Sequence, residues 1–189
     1  MNPKSSTKAE KGRRALAISF LFFLVSFVGW CMEKTWFYFA YGANVDRGFL
    51  TLPFCPIYGG SLLAIRLLFG LPVKAGERYP FNLVRLILYA VGAALVATAA
   101  ELVTGYLFYR AFHLRLWSYR GYPHEWGGYI CLPMSVTWGA LIATAMACVW
   151  APLEKRLSRL PLRPFAALNA LLWIAVSLDF CLNLSALFG

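Results

Sequence analysis

The stretch KAEKGRRALAISFLFFLVSFVGWC, residues 8–31, decides the class of fold to which this chain belongs. A cluster of lysines and arginines is followed by an almost unbroken apolar run, the pattern with which both secretory signals and first membrane spans begin. The run is too long for a signal and continues past Glu33 into further apolar sequence. Trp30 is too bulky for the position before Cys31 in a lipoprotein cleavage site. The sequence therefore predicts an uncleaved first transmembrane helix.

The composition of the whole chain points the same way. Of its 189 residues, 60% are hydrophobic, 17% aromatic and only 14% charged, and the mean hydropathy is +0.62. A water-soluble domain of this composition would lack the polar groups to cover its surface. A span needs about 20 apolar residues, so the length fits about five spans and no extra soluble domain. We expect an all-α polytopic transmembrane helix bundle, with residues 1–14 as a basic cytoplasmic segment and residues 15–189 as a single bundle domain.

Apolar runs between polar or turn-forming residues place the spans. The second run is shorter than a bilayer requires, so we expect it to be tilted, re-entrant or extended at its cytoplasmic end. Arg66 lies close enough to that end for its side chain to reach the interface. The runs lie near residues 15–40, 57–71, 83–109, 126–150 and 165–187.

The net charge of +10 follows the positive-inside pattern and does not indicate a nucleic-acid partner. Basic residues concentrate at the N-terminus and in the second and fourth connections, which assigns these segments to the cytoplasm. Five spans then put the N-terminus inside and the C-terminus outside. The connection 110–125 breaks the rule, because it lies outside and carries three arginines. Either a span is miscounted or acidic partners hold these arginines, and we favour the acidic partners. They are Arg110, Arg115 and Arg120.

Three acidic residues fall within the spans, where a charge costs about 2.5–3.5 kcal/mol and usually faces protein or water. Glu101 shares a helical face with small residues and is expected to point into the bundle. Asp179 lines up with Asn183 one turn later. The alternatives are that Glu33 pairs with Lys34 or extends its side chain to the membrane interface, and that Asp179 only makes contacts near a helix end.

With this topology, the acids in the spans and the arginines of the loops meet at the outer membrane face. Such a cluster offsets the cost of burial by mutual pairing and leaves a polar, partly enclosed cavity. It is typical of a substrate site and also of an ion pair that locks helices together. The candidate cavity residues are Glu33, Arg47, Cys55, Tyr58, Glu101, Arg115, Trp117 and Ser135.

The irregular stretch RGFLTLPFCPIYGG, residues 47–60, is predicted to be an external hairpin that enters the second span. Pro53 and Pro56 favour an extended entry. Gly59 and Gly60 would allow a neighbouring helix to approach closely.

The five cysteines show no CxxC pair and no Cys/His spacing of a zinc site, so we expect no metal and no cofactor. Cys55 and Cys131 each begin a span on the same face, where an oxidising exterior would allow a disulfide. Two ordinary buried thiols are the alternative.

Several segments resemble, in order and spacing, the family named "putative ABC-transporter type IV", or CmpB-like, integral membrane proteins. The resemblance covers about residues 15–152, and it rests on RGFL, CPIYG, E..TG, R.W.Y and ICL..S..WG. The family commonly has Asp where Ser118 follows Trp117, and Asn where Trp126 precedes Gly127. The resemblance implies a permease role without a defined substrate. The chain has no GxxxxGK[ST] motif, so ATP hydrolysis would require a separate ATPase subunit.

Three functions compete at this point. In a transport subunit, Arg47 and Arg115 would attract an anionic or zwitterionic group, and Trp117 with Tyr58 would stack on it. In a membrane enzyme acting on a lipid or lipid-linked substrate, paired carboxylates would serve as acid and base, with Cys55 or Ser135 as nucleophile. In a structural or regulatory bundle, the charges would only lock helices. We expect the lipid bilayer as a partner under each function, and a homo-oligomer is also open.

Overall fold

The computed structural model describes residues 3–42, 49–72 and 82–187. Within these ranges helices dominate, which confirms the predicted all-α class, and the only strands are two short ones in a single hairpin. The elements are α1 (Pro3–Tyr41), α2 (Pro56–Phe69), α3 (Leu83–Phe112), β1 (Glu125–Trp126), β2 (Ile130–Cys131), α4 (Leu132–Ala145), a π-helical turn (Met146–Trp150), α5 (Ala151–Leu157) and α6 (Leu162–Ala186).

Four helical segments of the described chain are long and apolar enough to cross a membrane. Helix α2 has only 14 residues, which span about 21 Å at 1.5 Å per residue. This is less than the roughly 30 Å of a hydrocarbon core, as expected from the short second run. The chain is thus a membrane protein with several apolar helices. The four long segments are Ala9–Phe39, Leu83–Phe112, Leu132–Leu157 and Leu162–Ala186.

The fourth span begins later than residue 126, the predicted boundary. Residues 125–131 instead form the antiparallel β1–β2 hairpin. At its turn, Gly127 and Gly128 have φ values of 58° and 74°, a left-handed conformation that glycine adopts without steric cost. After the hairpin the helix continues through the π-helical turn and α5, so the predicted end at residue 150 is also too early. Hydropathy alone did not separate the aromatic hairpin from the helix that follows it.

The chain forms two compact units, each described by itself below. Unit 1 comprises Met1–Gly59 and Pro152–Gly189, and unit 2 comprises Gly60–Ala151. The single bundle domain expected over residues 15–189 stays a prediction.

Helix α1 of unit 1 is continuous over 39 residues, or about 58 Å at 1.5 Å per residue. From Pro3 onward, the basic segment predicted as a separate region therefore forms the first turns of α1. Arg14 Nε lies 2.8 Å from Glu154 Oε1, which joins α1 to α5 by an ion pair. Glu154 is buried, so the ion pair compensates a carboxylate that is largely removed from water.

Unit 1 packs α1 against α6 around aromatic rings. The Phe22 ring stacks on Trp173 with centroids 5.2 Å apart, and Phe23 meets the same indole edge-on at 4.9 Å. Phe54, which precedes α2, contacts both phenylalanine rings at 5.6 and 5.7 Å. Aromatic pairs of this geometry contribute about 0.5–1.5 kcal/mol each beyond the area they bury. The irregular segment before α2 is therefore part of the core of unit 1.

We call this irregular segment, residues 49–55, the entry segment. It reaches α1 near the middle of the apolar stretch, where the backbone N–H of Cys55 donates to the carbonyl oxygen of Ser26 at 3.1 Å. Directly after it, a Cβ on Gly59 would collide with the Phe22 carbonyl oxygen and Ser26 Oγ, whereas a Cβ on Gly60 would meet open space. The predicted close approach is thus confirmed for Gly59 and wrong for Gly60.

Unit 2 is built on the packing of α3 against α4. The buried residues of α3 recur every fourth position, which places them in one row on the helix. On the facing side, a Cβ on Gly139 would lie 2.6 Å from the Ala90 carbonyl oxygen and 2.8 Å from Ala94 Cβ. The two backbones therefore approach too closely for any larger residue there, as in small-residue membrane interfaces. The row consists of Tyr89, Ala93, Ala97, Glu101 and Gly105.

The adjacent glycines of α2 give a matched test of this packing. Gly59→Ala should lower the free energy of unfolding by about 1–3 kcal/mol, because the added methyl group overpacks the contact with α1. Gly60→Ala makes the same chemical change in open space and should leave stability unchanged or raise it by about 0.5–1 kcal/mol. Unfolding of each variant in detergent micelles measures the two changes in the free energy of unfolding. Equal effects of the two substitutions would contradict the close approach of Gly59.

Candidate functional site

Glu101 lies on the buried face of α3 and is only 8% exposed. Its Oε1 accepts two hydrogen bonds, one from the Tyr119 hydroxyl at 2.8 Å and one from the Trp138 indole N–H at 3.0 Å. Trp138 belongs to α4, and Tyr119 belongs to the connection between α3 and α4. One carboxyl group therefore joins three parts of unit 2. We call Glu101, Tyr119 and Trp138 the Glu101 cluster.

Tyr119 reaches Glu101 because the connection between the two helices folds back on itself. We call residues 113–131 the cap. Within it the Tyr119 backbone N–H donates to the Gly128 carbonyl oxygen at 2.9 Å, which ties the loop to the β1–β2 hairpin. Burial and then the neighbouring Glu101 carboxyl group raise the pKa of Tyr119 above its ordinary value. The phenol therefore keeps its proton and serves as a donor to Glu101.

A second hydrogen-bonded pair joins α3 to α4 one turn from the Glu101 cluster. The Thr98 hydroxyl donates to Ser135 Oγ at 2.7 Å, and Ser135 donates to the Cys131 carbonyl oxygen at 3.1 Å. A serine nucleophile needs a base that can take its proton. Here the Ser135 proton is directed at a backbone carbonyl, so this geometry does not activate it.

Arg115 and Trp117 both support the cap. The Arg115 guanidinium lies over the Tyr109 and Tyr129 rings, 5.0 and 5.3 Å from their centroids, and its Nη1 donates to the Gly127 carbonyl oxygen at 3.2 Å. The Trp117 indole N–H donates to the Tyr129 carbonyl oxygen at 2.9 Å. Arg115 was expected to have an acidic partner and is instead held by aromatic faces and a carbonyl group.

Unit 1 contains a second acidic side chain in a long apolar helix, Glu33 of α1. The Tyr58 hydroxyl donates to Glu33 Oε1 at 2.7 Å, and the Tyr58 ring lies where a side chain on Gly29 would be. Tyr58 is in the first turn of α2, directly after the entry segment. Cys55 is half-buried at the end of that segment. We call Glu33, Cys55 and Tyr58 the Glu33 cluster.

Helix α6 holds the other end of the entry segment. Asp179 Oδ2 accepts the backbone N–H of Leu52 at 3.1 Å. The Asn183 side-chain amide donates to Asp179 Oδ1 and to Thr51 Oγ1, each at 3.1 Å. The predicted alignment of Asp179 with Asn183 is therefore confirmed, and both side chains contact the same irregular stretch of chain.

The comparison with protein families decides what kind of protein this is. The model of the family described as "Putative ABC-transporter type IV" matches residues 20–184. The chain belongs to this family. Neither the curated proteins nor the solved structures gave a match to the chain.

The match to the ABC-transporter type IV family extends to residue 184 in α6, beyond the 15–152 range of the resemblance. It therefore includes Asp179 and Asn183 as well as both clusters. Tyr119 and Trp138 were missed as site residues, although they are the tyrosine of R.W.Y and the tryptophan of ICL..S..WG. Their presence in these motifs was the sequence signal that could have identified them as site residues.

The candidate cavity residues of this family member fall into two sets. Glu33, Cys55 and Tyr58 lie in unit 1, and Arg47 lies outside the described residues. Cys55 lies in unit 1 and Cys131 in unit 2, and the disulfide between them stays a prediction. In the part of the chain that the structure describes, no three histidine, cysteine or acidic side chains are grouped to hold a metal ion. The second set is Glu101, Arg115, Trp117 and Ser135 of unit 2.

The hydrogen bond from Tyr119 to Glu101 can be tested by stability. Tyr119→Phe should lower the free energy of unfolding in detergent by about 1–3 kcal/mol, because a buried carboxyl oxygen loses a donor. Tyr122→Phe removes a hydroxyl from an exposed tyrosine of the same cap and should change stability by less than about 0.5 kcal/mol. If both substitutions cost the same, the Glu101 cluster does not hold the cap.

Proposed function

We propose that this chain is the membrane-spanning permease subunit of an ABC-type transporter. The observation that carries the proposal is the entry segment. Residues 49–55 are not helical, yet Cys55 is hydrogen-bonded beside the middle of the apolar stretch of α1. Family membership supports the same function at a coarser level.

Non-helical backbone at membrane depth is tolerated only where protein buries it or where it lines a water-filled cavity. Part of the entry segment is buried, as at Phe54, but Thr51 and Pro53 are exposed. In many transporters, broken helices of this kind form the substrate site. We infer that the exposed side of the entry segment lines the path of the solute.

The polar groups around the entry segment favour a particular class of solute. Glu33 and Asp179 supply carboxylates, while Asn183 and Tyr58 supply groups that both donate and accept hydrogen bonds. This set suits the ammonium end of a zwitterion. We keep the predicted role of Arg47, which is to bind the anionic end of such a zwitterionic solute.

The Glu101 cluster supports a structural role beside the transport role. Its carboxyl oxygen is engaged by Tyr119 and Trp138, and the Ser135 proton is directed at Cys131. These contacts favour a lock between α3, α4 and the cap over an enzyme site. Arg115 and Trp117 stay candidates for solute contact through the exposed parts of their side chains.

A permease of this family would obtain its energy from a separate ATPase subunit, because the chain carries no phosphate-binding GxxxxGK[ST] loop. We propose that the ATPase binds on the cytoplasmic side. The basic residues at the start of α1 and from α5 to the start of α6 support a cytoplasmic location of these segments, with the N-terminus inside and the C-terminus outside.

Cysteine accessibility tests the water-lined path. In a variant whose five native cysteines are replaced by alanine or serine, Thr51→Cys and Pro53→Cys should react with a membrane-impermeant, charged thiosulfonate. The thiolate, which forms where water is present, attacks the sulfur of such reagents and displaces a sulfinate. The matched control is Leu178→Cys, an exposed position of α6 next to Asp179 in sequence.

We expect the two entry-segment cysteines to react several times faster than the one at residue 178. Equal and slow reaction at all three positions would mean that lipid or protein surrounds the entry segment, and it would contradict the permease proposal.

The orientation has its own test. In the same cysteine-free background, Ser185→Cys near the end of α6 should be labelled by an impermeant maleimide added to intact cells. Glu10→Cys in α1 should be labelled only after the membrane is permeabilised. The opposite pattern would overturn the proposed orientation, and labelling of both residues from one side would require an even number of crossings.

A further inference from the structure

One end of unit 1 carries a concentration of exposed lysine and arginine side chains. They come from the first turns of α1 and from the segment where α5 ends and α6 begins. The Arg14–Glu154 ion pair joins these two segments, and Glu10 is the one exposed acid among residues 9–15 and 152–164, which the structure describes. We call the six exposed cationic residues the basic end: Lys11, Arg13, Lys155, Arg156, Arg159 and Arg163.

The basic end lies at the level of the lipid headgroups. Only residues 158–161 separate the span Leu132–Leu157 from the span Leu162–Ala186. A connection of four residues reaches at most about 14 Å, so it stays close to the membrane surface. On α1, the uncharged apolar run begins directly after Arg14. Both segments therefore hold their cations beside the hydrocarbon core and not far out in the water.

The connection between α5 and α6 is a tight turn. The backbone N–H of Ser158 donates to the Glu154 carbonyl oxygen at 3.0 Å, and that of Arg159 donates to the Arg156 carbonyl oxygen at 3.1 Å. The backbone that carries Arg159 is therefore already folded before any ligand binds.

The positive charge of this turn is not cancelled within the described part of the chain. There, no salt bridge involves Arg159 or Arg163. The first turn of α6 contains no acidic residue, although a helix N-terminus favours negative charge. Arg163 in that turn is thus a cation beside a positive helix end, and an external anion would relieve the repulsion.

Exposed leucines alternate with the arginines of the turn. Leu160 and Leu162 are each 39% exposed, and both lie between Arg159 and Arg163 in the sequence. Basic residues combined with exposed leucines are typical of segments that rest in a membrane interface. A lipid surface fits this combination, because it offers acyl chains and charged headgroups at adjacent depths.

The directions of the cations favour a lipid over an acidic protein as the partner. Lys155 and Arg156 are consecutive on α5 and point about 100° apart, while Lys11 and Arg13 on α1 point about 200° apart. All four are exposed. A protein partner covers one side of a helix, whereas lipid headgroups surround it. Cations that point in several directions can therefore all meet headgroups.

We propose that the basic end of unit 1 binds the headgroups of anionic phospholipids. Arg159 and Arg163 bind phosphate oxygens, and Leu160 and Leu162 lie among the first carbons of the acyl chains. Arginine suits this role because its planar guanidinium can form two parallel hydrogen bonds with a phosphate group. Clusters of basic residues directly beside a span attract anionic lipids. The binding does not depend on whether the chain transports a solute.

Lipid binding to the full chain in detergent tests this proposal. Native mass spectrometry would compare phosphatidylglycerol with phosphatidylcholine, which carries the same phosphate group but no net charge. The double variant Arg159→Gln/Arg163→Gln should bind phosphatidylglycerol about thirtyfold more weakly, because each basic residue at a membrane surface strengthens binding about fivefold. Its binding of phosphatidylcholine should not change.

The matched control is Arg110→Gln/Arg120→Gln, which removes two exposed arginines from the end of α3 and from the cap. It should leave the binding of phosphatidylglycerol unchanged. Equal weakening by the two double variants would show general attraction to net charge and overturn the proposal. An equal loss of phosphatidylcholine binding in Arg159→Gln/Arg163→Gln would also contradict it, since the site would then not select anionic lipids.

Unchanged binding of phosphatidylglycerol by Arg159→Gln/Arg163→Gln would overturn the proposal as well, and would leave an acidic protein as the occupant of the basic end. Both arginines are exposed, so this variant should keep the thermal stability of the parent. If it does not fold, the single variant Arg159→Gln replaces it, with an expected loss of about fivefold that is judged against Arg120→Gln.

Discussion

The need to satisfy backbone polar groups within an apolar environment governs unit 1. An extended chain has no internal hydrogen bonds, and each unmet group costs several kcal/mol where water is absent. The entry segment meets this need through α1 and α6. The backbone N–H of Leu52 is bound by Asp179 and that of Cys55 by the Ser26 carbonyl group. A carboxylate in an apolar helix, costly by itself, thereby makes an irregular segment possible.

In unit 2 the roles of backbone and side chain are reversed, because there a buried side chain needs hydrogen-bond donors. There the costly group is the Glu101 side chain, and a loop and a neighbouring helix supply its donors through Tyr119 and Trp138. The helices α3 and α4 approach closely at Gly139, and their short separation lets Trp138, the preceding residue of α4, reach Glu101 of α3. Polar pairing and small-residue packing are therefore coupled in this unit.

The sequence was sufficient for the class of fold, for four of the spans and for the inward orientation of Glu101, because these depend on summed hydrophobicity and helical periodicity. It was insufficient for the start of α4, where an aromatic hairpin is as apolar as a helix. It also assigned an acidic partner to Arg115, because charge counts cannot reveal that tyrosine rings face a guanidinium. The neutral donors to Glu101 were hidden for the same reason, since Tyr119 and Trp138 carry no charge.

The length of α1 has a consequence for how the protein is seated in the bilayer. The candidate span Ala9–Phe39 has 31 residues and is about 46 Å long, but its first turns carry Lys11, Arg13 and Arg14. The uncharged run that follows, residues 15–32, is about 27 Å long at 1.5 Å per residue and so comes close to the roughly 30 Å of a hydrocarbon core. Arg14, Ser26 and Glu33 each engage another part of unit 1, just before, within and just after this run. The vertical register of the first helix is therefore set by these contacts together with the length of its uncharged run.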